Sequence, residues 1–196
     1  METINIIISG VGGQGIILAS KILAECVFRD GFDVKENELH GMAQRGGSVL
    51  SHIRFGGKIY SPLIRRGKAD YLIAMEELEG LRYLYFLKPG GTVILNKRRK
   101  KPESVTSGIS TYPDQIMEQI EKMGYHVDEI NAFDIAKKSG SPKSENIVLL
   151  GLLSNYISLK ESTWLDVIQK AVPKKTIDAN LKAFKAGHDL LADKKL

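Results

Sequence analysis

The chain holds a single cysteine, Cys26, and four histidines among 196 residues. An iron–sulfur cluster takes about four thiolates and a structural zinc about four Cys or His ligands, so neither can be built from this set. No disulfide can close within the chain, which agrees with a reducing compartment. Long apolar runs are missing as well. The longest, Ile147 to Leu153, is far short of the roughly 20 residues of a membrane span. Met1-Glu2-Thr3 lacks the positive start of a secretory leader, and the apolar stretch behind it ends in glycines. A soluble, cytoplasmic protein is the expectation.

Aromatic residues are scarce, at 7% of the chain, and none interrupts the basic run Lys97-Arg98-Arg99-Lys100-Lys101. A nucleic-acid surface would interleave bases with rings, so this run is expected to be a solvated loop. Recognisable catalytic groups are also lacking. No serine or cysteine stands in a nucleophile elbow, and no residues are spaced as a metal triad. Asp134, Asp166 and Asp189 are isolated on expected helices, while His126 and His188 read as structural. His40 and His52 are the only candidate bases near the glycine-rich elements, and His52 falls in strand alternation. The residues alone do not support an independent enzyme.

What is present is a pair of glycine elements. Gly10-Val11-Gly12-Gly13-Gln14-Gly15 follows the apolar run Ile4 to Ile8 and precedes helical spacing. That is the strand–turn–helix setting of a dinucleotide fingerprint, in which a helix N-terminus meets an anion. The acid that would confirm it should lie about 20 residues on; Glu36 and Glu38 both stand near that distance, and neither is decisive. A tight turn that serves packing and a partner surface fits equally. The second element, His40-Gly41-Met42-Ala43-Gln44-Arg45-Gly46-Gly47-Ser48, is the rarer one. Glycine allows close backbone approach, Met adapts to irregular surfaces, and Arg makes forked contacts to carboxylate or phosphate.

Along the chain, Ile4–Ser9 reads as a strand buried on both faces, residues 16–29 as a helix, and 32–38 as a second strand. Residues 48–55 read as a strand that turns at Gly56-Gly57-Lys58 into a short return at Ile59-Tyr60. A buried strand is expected over 71–75, a helix over 76–87 stopped by Pro89-Gly90-Gly91, and a strand over 92–96. A helix opened by Tyr112-Pro113-Asp114, a strand over 126–130 and helices from Ala132 onward follow. This rhythm predicts one α/β domain over 1–196. Its architecture would be a Rossmann-like doubly wound, mostly parallel sheet with a β-hairpin insertion and a helical C-terminal third. Cys26 falls on the inward face of the first helix, where a thiol is a small core residue.

These motifs carry a resemblance. The two glycine elements, with the second continuing through Val49 into Ser51-His52-Ile53-Arg54, stand beside Ala69-Asp70-Tyr71-Leu72, Leu87-Lys88-Pro89-Gly90-Gly91, 146–151 and 180–187. Together they resemble the gamma-type subunit of the thiamine-diphosphate-dependent 2-oxoacid:ferredoxin oxidoreductases, most nearly the indolepyruvate branch. The resemblance spans nearly the whole chain, and Met42 to Ser48 is its specific part. It implies that thiamine diphosphate and decarboxylation reside in a partner subunit. The iron–sulfur clusters would lie there or on a ferredoxin-like subunit, with ferredoxin reached through the complex. It also implies that this module covers the active site near coenzyme A. Gly10, Gly12, Gly13, Gln14, Gly15, His40, Gln44, Arg45, Gly46 and Gly47 would then form the cofactor- and partner-facing surface. Arg45 would be the anion contact and Gln44 its neighbour, with no catalytic acid or base in this chain. Three alternatives remain: a stand-alone Rossmann-type nucleotide-dependent oxidoreductase, a pure interaction module with no active-site role, and a methyltransferase suggested by the 87–92 turn.

Overall fold

A computed structural model describes residues 2–40, 47–101 and 103–192. Among these, six strands form one mixed sheet. They are β1 (Ile4–Val11), β2 (Asp33–His40), β3 (Ser48–Gly56), β4 (Ala69–Ala74), β5 (Leu87–Asn96) and β6 (His126–Ile130). The spatial order is β2-β3-β1-β4-β5-β6. β3 runs antiparallel to both of its neighbours, while β1, β4, β5 and β6 are mutually parallel. The helices are α1 (Ile16–Arg29), α2 (Glu77–Tyr83), α3 (Glu103–Thr106), α4 (Ile116–Lys122), α5 (Ala132–Lys138), α6 (Glu145–Leu153), α7 (Glu161–Ala171) and α8 (Ile177–Ala192).

Strand alternation sorts the core. Ile6 and Ile8 of β1 join α1 and α5–α8 on one face of the sheet, and Ile7 joins Leu72, Val93, Phe86 and α4 on the other. Each of the three isoleucines is fully buried, which is why this strand reads as an unbroken apolar run. The expected α/β architecture is present, with its helical C-terminal third. α6 is buried almost all round, and Cys26 is fully buried against α7.

Three expectations are corrected. The hairpin is β2–β3, paired from Asp33↔Gly56 to His40↔Val49, so its connection is the second glycine element. Residues 57–60 form no strand and instead leave the sheet, where the Ile59 N–H is bound by Asp33 Oδ2 at 2.8 Å. The third correction concerns β5, which begins at Leu87, five residues before the expected start. A register irregularity between Ala69 and Tyr71 absorbs Pro89-Gly90-Gly91. Bulges of this kind let a strand continue through residues that otherwise end it. The expected helix over 76–87 is correspondingly shorter, and a 3-10 turn over Leu84–Phe86 closes it.

Candidate functional site

The hairpin register decides where the site lies. Because Val11 pairs with Ser48 and His40 with Val49, the end of β2 and the start of β3 stand at the carboxyl edge of β1, beside the first glycine turn. The two elements meet directly: the Gly12 N–H donates to the Gly47 carbonyl at 2.9 Å. Gly41 to Gly46 lie outside the described residues, so Gln44, Arg45 and Gly46 have no described position, nor has the side chain of His40. Beside the turn is a cavity of about 580 Å³. Its walls include Gly12, Gly13, Gly15, Ile17, Lys21 and Val49. The N-terminus of α1 opens here on Gly15, in the left-handed region at φ 77° and without a side-chain cap.

Gln14 gives the turn its form. Its Oε1 accepts from the Val11 N–H at 2.7 Å, and its Nε2 donates to the Met75 carbonyl at 2.8 Å. The amide thus bridges the carboxyl ends of β1 and β4. Helix α1 follows β1 on one face and α2 follows β4 on the other, so this gap is the switch point where an open α/β sheet receives a nucleotide. In this protein a side chain occupies it. Gly10 is glycine for the same reason, since a Cβ there would stand 2.7 Å from Met75 Cβ and 2.9 Å from Gln14 Oε1. A Cβ on Gly15 would stand 2.6 Å from Asn146 Nδ2, which donates to the Gly15 carbonyl at 3.0 Å.

The candidate ribose-reading acids are elsewhere. β3 lies between β2 and β1, which sets Glu36 and Glu38 about 10 Å from β1 at ordinary strand spacing. Glu36 accepts from Ser20 of α1 at 3.0 Å, and that hydroxyl shares a further hydrogen bond of 2.7 Å with Ser51.

Sequence reasoning missed the buried acids of α2. Glu76, Glu77 and Glu79 are at most 5% exposed. Glu76 caps α2 by accepting from the Glu79 N–H at 2.9 Å; it also accepts from the Lys100 N–H at 3.1 Å and from the Tyr112 hydroxyl. Burial and the bond to Glu76 push the Tyr112 phenol well up. Glu79 accepts from Ser48, the residue after Gly47, whose hydroxyl also lies 2.8 Å from Tyr83 Oη. Burial raises the Glu79 carboxyl above the usual range, against the Ser48 hydroxyl and Arg82, which favour its charge, while Glu76 adds to the rise.

The basic run forms neither helix nor strand and its side chains are largely exposed, as expected of a solvated loop, and it is also the counterpart of these acids. Arg99 donates to Glu77 at 2.8 Å, Lys97 pairs with Glu129 at 3.3 Å, and Arg98 lies over the Phe133 ring at 4.4 Å. Lys100 Nζ reaches the Gly12 carbonyl at 3.2 Å. The run is a strap across the carboxyl edge that ends on the glycine turn. A clue lay in the sequence, because three acids follow β4 within five residues. Only the fold says which cations they meet.

His52 is fully sequestered, its Nδ1 accepting from the Ile64 N–H at 3.1 Å. Among the described residues no group of three or more His, Cys, Asp or Glu is placed to hold a metal ion, and no helix is long and apolar enough to cross a membrane.

The family model described as pyruvate ferredoxin/flavodoxin oxidoreductase matches residues 5–190. The chain is 43% identical over 190 residues to the indolepyruvate oxidoreductase subunit IorB of Archaeoglobus fulgidus, covering 95% of this chain and 94% of that one. It is 40% identical over 192 residues to the same-named subunit of Thermococcus kodakarensis, covering 95% of each. Among solved structures it resembles the gamma subunit of a keto/oxoacid ferredoxin oxidoreductase from Geobacter sulfurreducens, with a TM-score of 0.70 at 26% identity. That match covers 95% of this chain and 96% of the other. Neither the stand-alone oxidoreductase nor the methyltransferase is favoured by these relatives. The chain belongs to the pyruvate ferredoxin/flavodoxin oxidoreductase family, as a gamma-type subunit.

Proposed function

We propose that this single-domain chain is the cluster-free subunit of a cytoplasmic, thiamine-diphosphate-dependent indolepyruvate or aryl pyruvate:ferredoxin oxidoreductase. The reaction is oxidative decarboxylation: the 2-oxoacid loses its carboxyl group as carbon dioxide and the acyl carbon is bonded to the sulfur of coenzyme A. The electron pair passes to ferredoxin through the iron–sulfur clusters of the partner subunit. In this reading the chain supplies a wall of the active site and no catalytic acid or base.

The observation that supports it is the Gly12–Gly47 hydrogen bond, which ties the first glycine turn to the last glycine of the second element at the carboxyl edge of the sheet. The bridging Gln14 amide speaks against the rival nucleotide-dependent enzyme, because it stands where a dinucleotide would enter. The surface comprises Gly10, Gly12, Gly13, Gln14, Gly15, His40, Gln44, Arg45, Gly46 and Gly47. Arg45 contacts a coenzyme A phosphate or a partner carboxylate, Gln44 supports it, and Lys21 lines the adjoining cavity.

Replacing Arg45 by Ala tests this in the assembled complex. Losing a charge-assisted hydrogen bond costs roughly 1.5–3 kcal/mol, so CoA-dependent turnover should fall about tenfold or more while the subunit still folds and assembles. Unchanged turnover would sink the assignment. So would 2-oxoacid oxidation by the isolated chain with an artificial electron acceptor.

A further inference from the structure

At the other end of the sheet, residues 57–68 connect β3 to β4. Between Phe55 and Asp70 the sequence carries Lys58, Arg65, Arg66 and Lys68 and no acid. The segment is held firmly although it forms neither helix nor strand. Arg54 Nη1 donates to the carbonyls of Ser61 at 2.9 Å and Leu63 at 3.3 Å, while its Nε donates to Asn5 at 2.8 Å. The Ile64 N–H is bound by His52, the Gly67 N–H donates to the Tyr85 carbonyl at 3.0 Å, and the Lys68 N–H to the Phe86 carbonyl at 2.9 Å. Ile59 and Ile64 are buried beneath it.

What the segment presents outward has no matching support. Tyr60 is 89% exposed and Leu63 53%. Beside them a cavity of about 590 Å³ includes Arg54, Arg65 and Lys68 in its walls and no carboxylate. Among the described residues neither Arg65 nor Lys68 takes part in an ion pair. The nearby Asp70 is already held by Lys88 and by the Asn5 N–H.

We propose that this segment docks a carboxylate-bearing face of the larger, thiamine-diphosphate-carrying subunit. The inference rests on the subunit reading and adds a second contact surface, remote from the glycine turn. A carboxylate enters among Arg54, Arg65 and Lys68, and an apolar rim on the partner covers Tyr60 and Leu63. Charge complementarity selects an acidic occupant, since the pocket has cations without an anion. The compact shape selects a protein. A polyanion such as nucleic acid reads an extended basic stripe, and the chain's longest basic run is bound to its own acids. Tyr and Arg are the side chains that carry protein interfaces, and a segment already fixed loses little freedom on binding.

The test is a titration of the larger subunit against this chain at several salt concentrations. The variants are Arg65→Glu with Lys68→Glu, and separately Tyr60→Ala. The double reversal should weaken association roughly a hundredfold and flatten its salt dependence. Tyr60→Ala should weaken it about tenfold. Both isolated chains should melt within a few degrees of the wild type. Dissociation constants within twofold of wild type for both variants overturn the proposal. So does self-association of the wild-type chain, or binding of an oligonucleotide, that the double reversal abolishes while the subunit affinity stays unchanged. If wild type itself does not bind the larger subunit, the subunit reading fails with it. If wild type and variants bind equally well, the docking surface alone fails.

Discussion

Residues 97–101 and 57–68 lie at opposite edges of one sheet and have similar side chains, yet they meet opposite surroundings. At the carboxyl edge the cations run over three buried acids of α2, and the strap is tied to the core. At the amino edge backbone bonds and a buried histidine hold the chain, and among the described residues Arg65 and Lys68 form no ion pair. A basic run is therefore no site until its anions are counted. The denser and more conspicuous run is paired with acids of its own chain. The sparser is the one left with charge to offer.

Replacing the strap's central acid should separate the two edges most sharply. Glu76→Ala removes the cap of α2 and leaves the buried Glu79 N–H, the Lys100 N–H and the Tyr112 hydroxyl without their acceptor. A lost cap costs about 0.5–2 kcal/mol, and each stranded buried donor about 1–3 kcal/mol. Allowing for partial rehydration, the expected loss is about 3 kcal/mol, or on the order of 9 °C in Tm for a chain of this size. Arg65→Ala and Lys68→Ala should each change stability by less than about 0.5 kcal/mol. Urea denaturation of the isolated chain checks both. Comparable losses at the two edges would break the contrast.

The next effect belongs to Gln14. Gln14→Ala strands the Val11 N–H and the Met75 carbonyl at the switch point. A loss of about 1–2 kcal/mol is expected, with no gain of dinucleotide affinity, because the acids of β2 remain a strand away from β1. Urea melts and an NADH fluorescence titration read the two parts. Nucleotide binding at ordinary cofactor concentrations would reopen the stand-alone oxidoreductase.

Much of this was legible before the structure. The β-branched run Ile4 to Ile8 marked a two-faced strand, and the apolar stripe of Ile16 to Arg29 gave α1 with its observed bounds, because both patterns are local. The place of β3 was not legible. Strand order depends on which edge a hairpin joins, and nothing in 48–56 states that it inserts between β2 and β1. The error at Ile59-Tyr60 has a local cause. Gly56-Gly57-Lys58 looks like a hairpin turn, but Asp33 and His52 draw the following residues off the sheet. The candidate site was legible as two glycine elements, and their contact followed only from the long-range register of Val11 with Ser48. Gln14 was read as one member of a fingerprint. Its bridging role needs the end of β4, which is 61 residues away along the chain.

The smallest effect is at the amino edge and depends on pH. Burial of His52 pushes its imidazole below the ordinary histidine value of 6.5. The unfolded chain takes up a proton near that value while the folded chain resists it, so this contribution is whole above pH 6.5. It is lost as pH falls from there through the folded value. Protonation would also remove the Nδ1 lone pair that holds the Ile64 N–H, and with it one fastening of the 57–68 segment. His52→Gln keeps an acceptor in reach and does not titrate. The stability difference between wild type and His52→Gln should therefore be largest near pH 8 and shrink toward pH 5.5. The slope should be no steeper than about 1.4 kcal/mol per pH unit, the limit for one proton. A difference that stays flat from pH 8 to 5.5 would mean that the amino edge is fastened by backbone bonds alone.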